Sequence, residues 1–355
     1  MSRYFSQSLS SLAPYTPGEQ PRDLSSFIKL NTNENPFGME EDTLEKAVEG
    51  MRRLNLYPDP SQSELRTRIA SLYAVDTENV TLSNGSDEML LFCFLAFCPR
   101  GSVILTPDIT YSFYNTLTSL VGLETEEIPL KDDFTVDGDA FCRKKGTVVI
   151  ANPNALTGIN IPLSDVERII SSDSNRICII DEAYVDFGGE SALPLIRKYP
   201  NTVVVRTFSK SRSLAGARLG YAFADADLIN DIERVRNSIN PYNINSFTLS
   251  AAMAKLDDEL ATWKNIEEIR RTRKYTTEEL EKLGFTVLPS SSNFIFVTSP
   301  LLPGDMYYSE LKKRGILIRH FTKERIASFS RITVGRMEDM EILIRKTQEI
   351  LNERI

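Results

Sequence analysis

The chain has 355 residues, 41% of them hydrophobic and 25% charged. That suits a soluble α/β domain joined to a smaller one. A net charge of −8 argues against nonspecific nucleic-acid binding, so a phosphorylated ligand would need a local arginine cluster. The four cysteines, Cys93, Cys98, Cys142 and Cys178, form no CxxC pair and accompany a single histidine. A zinc site is therefore not expected, and free thiols in a reducing cytoplasm are.

In chain order, residues 1–38 are rich in Pro, Asn and Ser and read as an extended N-terminal arm. The start is polar, without the apolar region of a signal peptide, and the longest apolar run, residues 89–98, is far too short to span a membrane. The expected location is the cytoplasm. Residues 39–260 read as a large domain. An amphipathic helix is predicted over 40–54, ended by the turn Tyr57-Pro58-Asp59-Pro60, and a second over 63–73. Strands are predicted at 80–83, 102–106, 124–128, 147–151, 177–181 and 202–208, with helices at 87–98, 111–120 and 163–171 between them. This alternation argues for a mainly parallel sheet covered on both faces. The run 219–224 follows Phe208 too closely for a helical crossover, so one antiparallel strand is expected there. Residues 245–283 read as mostly helical. Residues 261–355 read as a smaller α+β C-terminal domain, with strands at 285–288, 293–297, 316–319 and 330–334 and helices near 305–314 and from Met337.

The segment Thr207-Phe208-Ser209-Lys210, with Arg218 eight residues beyond the lysine, follows the apolar strand at 202–205. A lysine there, beside small hydroxyls and an arginine, suits pyridoxal 5'-phosphate (PLP). The amine can condense with the aldehyde, and Thr207, Ser209 and the planar fork of Arg218 can hold the phosphate. Asp181 ends another buried strand and fits the partner of a pyridinium nitrogen. Tyr184, three residues on, can hydrogen-bond the ring's phenolic oxygen. Gly85, Ser86 and Asp87 stand between a strand and a helix, where backbone N–H groups can cradle a phosphate. A plain N-cap at Ser86 or Asp87 would explain the same residues. Neither GxxxxGK[ST] nor GxGxxG occurs, which argues against a P-loop or a nicotinamide enzyme.

With residues 13–20 (APYTPGEQ), 29–36 (KLNTNENP), 57–60, 315–319 and 331–335, these segments resemble the histidinol-phosphate aminotransferases over nearly the whole chain. The resemblance implies the fold-type I architecture of PLP-dependent transferases: a large domain with a mainly parallel sheet plus a smaller C-terminal domain. It implies a homodimer in which Tyr57 reaches the neighbour's cofactor phosphate. It also implies that Tyr111 stacks on the cofactor, that Tyr15 encloses the substrate, and that Arg331 grips a carboxylate and Arg319 the substrate phosphate. The family's Asn-Pro-Thr-Gly loop is matched imperfectly: Ala155-Leu156 occupy the Asn-Pro places, so Asn154 is the expected ring-oxygen ligand, with Asn152 as the alternative. The implied reaction converts L-histidinol phosphate and 2-oxoglutarate to imidazole-acetol phosphate and L-glutamate, in histidine biosynthesis. Lys210 would carry the cofactor and move the substrate's Cα proton. Rival readings are a threonine-phosphate decarboxylase or an aromatic aminotransferase of the same fold. A noncatalytic PLP-binding regulator is more distant, because the arm before Asn31 is short for a DNA-binding segment. Neither nucleic acid nor a membrane is an expected partner.

Overall fold

The computed structural model describes residues 2–10 and 12–353. The arm is mostly extended, interrupted by 3₁₀ turns at Gln7–Leu9 and Leu24–Ser26, then forms a short strand, β1 (Ile28–Lys29). The helix predicted over 40–54 is shorter than expected: α1 (Glu41–Val48) gives way to a 3₁₀ turn at Glu49–Arg53. Gly50 explains the break, since a Cβ there would stand 2.6 Å from the Ser246 carbonyl oxygen and from the Ser250 Cβ. Helix α2 (Ser63–Tyr73) follows.

The predicted alternation then appears as β2 (Val80–Ser83), α3 (Ser86–Phe97), β3 (Val103–Pro107), α4 (Phe113–Val121) and β4 (Glu124–Ile128). It continues through α5 (Gly138–Arg143), β5 (Thr147–Ala151), α6 (Leu163–Ser171), β6 (Cys178–Asp181), β7 (Thr202–Thr207) and β8 (Gly220–Ala224). These strands make one seven-stranded sheet in the order β2-β8-β7-β6-β5-β3-β4. Only β8 runs against the rest; it pairs antiparallel with both β2 and β7. The antiparallel strand read from residues 219–224 is this one.

Side chains alternate across the central strands. Val148, Ile150, Cys178, Ile180 and Val204 pack into one apolar layer. Val149, Ala151, Ile179, Val203 and Val205 pack into the other. A strand buried on both faces has no polar side, which is why these segments read as unbroken apolar runs. Helix α3 is apolar on nearly all sides, because it lies between the sheet and its neighbours, with Met89, Leu90, Phe92, Cys93 and Phe94 buried. Helix α7 (Ala226–Ile239), which the sequence reading did not pick out, packs against it with Ile229 and Ile232.

The stretch predicted as mostly helical over 245–283 divides at Asp258 into α8 (Ser246–Asp257) and α9 (Glu259–Lys282). Beyond it lie β9 (Thr286–Val287), β10 (Phe294–Thr298), α10 (Gly304–Lys313), β11 (Ile316–Leu317), β12 (Arg319–His320), β13 (Phe329–Thr333) and α11 (Met337–Asn352). The strand predicted over 316–319 is two strands. Its first half, β11, pairs parallel with β1 of the arm, and its second, β12, joins the four-stranded sheet β12-β13-β10-β9. Ile28 and Leu30 thereby pack into the C-terminal core with Ile295, Ile316 and Ile332. The arm is thus fastened across the C-terminal unit before the chain enters the large sheet. No helix among the described residues is long and apolar enough to cross a membrane.

Behind the strand ends lies a buried ion pair. Glu182, just past β6, accepts from Arg206 Nε at 3.0 Å and Nη2 at 2.8 Å, and from Ser191 Oγ at 2.8 Å. Both side chains are nearly inaccessible to solvent. Such a pair adds little net stability, but losing one partner strands a buried charge at a cost of about 3–5 kcal/mol. It locks β7 to the segment just after β6, next to Asp181 at the end of β6 and close to Lys210 beyond the end of β7.

Candidate active site

The carboxyl ends of β2, β3, β5, β6 and β7 all lie at one edge of the sheet, where the start of β8 also lies. Open α/β sheets bind ligands at this edge. Here the loops enclose a cavity of about 230 Å³, lined by Ser86, Asp87, Tyr111, Asp181, Tyr184, Thr207, Ser209, Lys210, Arg218 and Arg331 and reached by Tyr15 and Arg319. Of the residues singled out from the sequence, Gly85, Asn154, its alternative Asn152 and Tyr57 do not line it; the rest do.

Lys210 stands three residues beyond β7. Its Nζ donates to the Thr32 carbonyl at 3.3 Å and lies 5.8 Å from the Tyr184 ring centre. Asn35 Nδ2 donates to the Lys210 carbonyl at 2.9 Å, so the arm holds the lysine loop from above. The side chain is half-buried and opens on the cavity. Burial pushes the amine down to about 8; the Arg331 charge pushes the same way and Glu34 opposes. An amine in that range is partly neutral near pH 7 and can act as nucleophile or base.

Asp181 is 4% exposed. Burial pushes its carboxyl up to about 6, against the hydrogen bonds from Tyr114 and the Ala183 N–H. Tyr114 donates to Oδ2 at 2.7 Å and the Ala183 N–H to Oδ1 at 3.1 Å. The carboxyl is aimed and hydrogen-bonded, but its charge is poorly compensated. A protonated ring nitrogen in the cavity would supply the compensation. Tyr114 was not singled out from the sequence; it lies in the first turn of α4, three residues after Tyr111.

At the opposite wall α3 begins without a side-chain cap, and Gly85 is its N-cap residue at φ +87°. The plain-cap reading of Ser86 and Asp87 is thus not met. The carboxylate of Asp87 instead accepts from Tyr111 Oη at 3.0 Å and from Arg218 at 3.5 Å. The first N–H groups of the helix stay available to an anion, at the positive end of the helix dipole. Gly85 itself does not line the cavity; it gives Arg218 room, since a Cβ there would stand 2.6 Å from Arg218 Nη2. Thr207 Oγ1 lies 2.9 Å from Ser209 Oγ and 3.2 Å from the Leu219 carbonyl oxygen, so the two hydroxyls stand together beside the cavity.

Tyr111 meets Tyr15 edge to face, with ring centres 6.1 Å apart. The expectation for Asn154 is corrected. Its Nδ2 donates to the Ile109 carbonyl at 3.0 Å, and its Oδ1 accepts from the Leu156 and Thr157 N–H groups at 2.9 and 3.1 Å. Asn152 is no better placed: its side chain exchanges two hydrogen bonds with the Ile161 backbone. Both amides shape the 152–158 loop, and the loop offers the cavity only Ala155 and Leu156.

The two candidate substrate arginines differ. Arg331 donates to the Ala155 carbonyl at 3.1 Å and the Asn31 carbonyl at 3.4 Å. It packs over Phe294 and Phe321, and burial pushes its pKa down. Held by neutral groups, it is ready for an anion. Arg319 is not a free strand end: it donates to the Thr16 and Pro17 carbonyls at 3.2 and 3.3 Å and so fastens the stretch that carries Tyr15. Tyr57 is 81% exposed and stacks on Tyr242 at 4.5 Å, away from the cavity of its own chain. No cluster of metal-ligating side chains occurs among the described residues.

These donors fit pyridoxal phosphate: a depressed lysine amine, a buried carboxyl lacking a cation, an aromatic wall, and an uncapped helix start beside an arginine. Comparison with known proteins agrees. The model of the aminotransferase class I and II family matches residues 25–346. A histidinol-phosphate aminotransferase of Clostridium beijerinckii is 44% identical over 99% of this chain and 98% of its own. One from Brachyspira hyodysenteriae is 43% identical over 99% of both chains. Among solved structures, a histidinol-phosphate aminotransferase of Sinorhizobium meliloti in complex with pyridoxal-5'-phosphate shares the fold at a TM-score of 0.84 and 24% identity, over 92% of this chain and 91% of that one.

The Lys210 environment makes a prediction about the cofactor-free protein. Its folded pKa, about 8, lies below the ordinary 10.5. Below pH 8 the folded chain therefore holds a desolvated cation, and that cost disappears as pH rises from 8 to above 10.5. Cofactor-free Lys210→Met should be more stable than wild type by about 1–3 kcal/mol at pH 7, with the advantage gone above pH 10. Urea midpoints across pH measure this; a variant no more stable than wild type at pH 7 contradicts it.

Proposed function

The chain belongs to the aminotransferase class I and II family and, within it, to the histidinol-phosphate aminotransferases, and from that membership and the cavity we propose that it exchanges the amino group of L-histidinol phosphate with 2-oxoglutarate. It is a PLP-dependent enzyme of the fold-type I architecture. The proposed products are imidazole-acetol phosphate and L-glutamate, and the proposed setting is histidine biosynthesis in the cytoplasm.

One observation carries the reading. In a chain of net charge −8, the cavity brings the cations Lys210, Arg218, Arg319 and Arg331 against only two carboxylates, Asp87 and Asp181. Such a surplus suits two phosphorylated ligands, cofactor and substrate, held at opposite ends. When bound, PLP supplies an electron sink for the pair of electrons left on the substrate Cα. The α3 N–H groups, Ser209 and Arg218 would hold its phosphate, Asp181 its ring nitrogen, Tyr184 its phenolic oxygen and Tyr111 its ring face. Lys210 would anchor it and, once displaced by the incoming amine, take the proton from the substrate Cα. Tyr15 would cover the site and limit the entry of water. Arg331 would serve the carboxylate of glutamate and 2-oxoglutarate, since histidinol phosphate has none. Arg319 would leave the arm carbonyls for the substrate phosphate.

The assay is direct: glutamate should form from 2-oxoglutarate when L-histidinol phosphate is supplied. Arg319→Ala should cost roughly 2–5 kcal/mol in transition-state binding with histidinol phosphate, and much less with unphosphorylated histidinol. Equal losses on both substrates would remove Arg319 from phosphate recognition. Carbon dioxide release from threonine phosphate, with no transfer from histidinol phosphate, would move the chain to the decarboxylases.

We also infer a homodimer in which Tyr57 serves the neighbour's site. Leu44, Val48, Met51, Leu54, Leu56 and Tyr57 are all exposed along α1 and the turn after it, and an apolar face of this kind marks a protein interface. Mixing inactive Lys210→Ala and inactive Tyr57→Phe subunits should restore part of the activity, because hybrid dimers keep one intact site. A monomer by sedimentation, with Tyr57→Phe fully active, would contradict the inference.

A further inference from the structure

Asn33 is the feature of the cavity that the reading above leaves without a role. It is 1% exposed and sits in the left-handed region at φ +56°, where asparagine is among the few residues that rest easily. It lines the cavity and belongs to the arm, 151 residues from Tyr184, yet its Nδ2 donates to Tyr184 Oη at 3.0 Å. The neighbours fix which end of the amide faces the phenol. The Asn33 N–H donates to Thr333 Oγ1 at 2.9 Å, and Thr333 Oγ1 donates its proton to Asn33 Oδ1 at 3.1 Å. Turning the amide over would leave the Thr333 proton without this acceptor, so the NH₂ group faces Tyr184. The backbone is held as well, since Asn293 Nδ2 donates to the Asn33 carbonyl at 3.0 Å.

A phenol that accepts a hydrogen bond from an amide must send its own proton elsewhere. Around Tyr184, Phe294 covers the ring edge to face and the cationic Arg331 and Lys210 repel a proton. The open direction is the cavity. We propose that Asn33 is a positioning residue that fixes the Tyr184 hydroxyl as a donor toward the phenolic oxygen of the bound cofactor. It supplies indirectly the amide that the 152–158 loop does not bring to the cavity. The inference rests on the aminotransferase reading. It adds a residue from the arm, so that the segment covering the site also sets the donor on the cofactor.

The test is the pH titration of the visible absorbance of the PLP-loaded protein, together with cofactor affinity. A phenolic oxygen that loses a donor becomes more basic and holds the proton it shares with the lysine nitrogen more tightly. Asn33→Gly keeps the left-handed backbone and removes the amide. Asn33→Asp keeps the shape and the acceptor for Thr333 but reverses the polarity toward Tyr184, turning its proton away from the cofactor. The apparent pKa of the band should rise by about half to one pH unit in Asn33→Gly, the size of one hydrogen bond, and further in Asn33→Asp. PLP should bind more weakly in both. In a Tyr184→Phe background, Asn33→Gly should add no further shift. The other charges facing Tyr184 and Lys210, namely Arg331, Asp181, Asp87, Glu34 and Arg218, stay the same throughout. An unmoved titration in both variants, or an equal shift without the Tyr184 hydroxyl, overturns the proposal. A wild-type protein that forms no visible band with PLP would instead overturn the aminotransferase reading itself.

Discussion

Lys210 and Asp181 line one cavity, and neither neutralises the other. Burial pushes the amine down to about 8 and the carboxyl up to about 6. A fold left to itself would pair such groups or expose them. Here the surroundings hold them apart: Tyr114 and the Ala183 N–H aim the carboxyl, while Thr32 and Asn35 hold the lysine loop. The arrangement lowers the stability of the empty protein, and a ligand carrying a cationic ring nitrogen, an aldehyde and a phosphate relieves it.

The rest of the architecture follows from that need. A mainly parallel sheet sends six strand ends to one edge, so groups far apart in sequence converge without long loops. Residues buried on both faces make those strands rigid, and the Arg206–Glu182 pair ties the two segments that matter most. The reversed strand β8 starts at the same edge, so Arg218, just before it, reaches the uncapped start of α3. The arm then closes the site. It is pinned to the C-terminal unit through β1 and β11, and it delivers Thr32, Asn33 and Tyr15 to the cavity.

Much of this was legible in the sequence, for a physical reason. Doubly buried strands must be continuous apolar runs, so the stretch at 147–151 coincides with a strand to the residue; those at 80–83 and 124–128 also do, but Thr81, Ser83 and the mostly polar edge strand Glu124–Ile128 were placed by the βα alternation rather than by an apolar run. Chemistry sits where such runs end, which brought out Asp181 and Lys210. Contacts distant in sequence were not legible. The break at Val48 comes from α8 pressing on Gly50, and the division of 316–319 from β1 pairing with half of it. Asn154 was misread because the turn of its own loop takes up its amide, a preference that asparagine satisfies locally. Tyr114 and Asn33 act on Asp181 and Tyr184 over separations of 67 and 151 residues, which no local pattern encodes.

The central claim is that the cavity is built around the amine of Lys210 as the point of cofactor attachment. Borohydride reduction of the yellow PLP-loaded protein, followed by peptide mass mapping, tests it most directly. The account predicts a single pyridoxyl group on the peptide that contains Lys210. A label on another lysine, such as Lys29 in the arm, or no label at all on a protein that binds PLP, would contradict it.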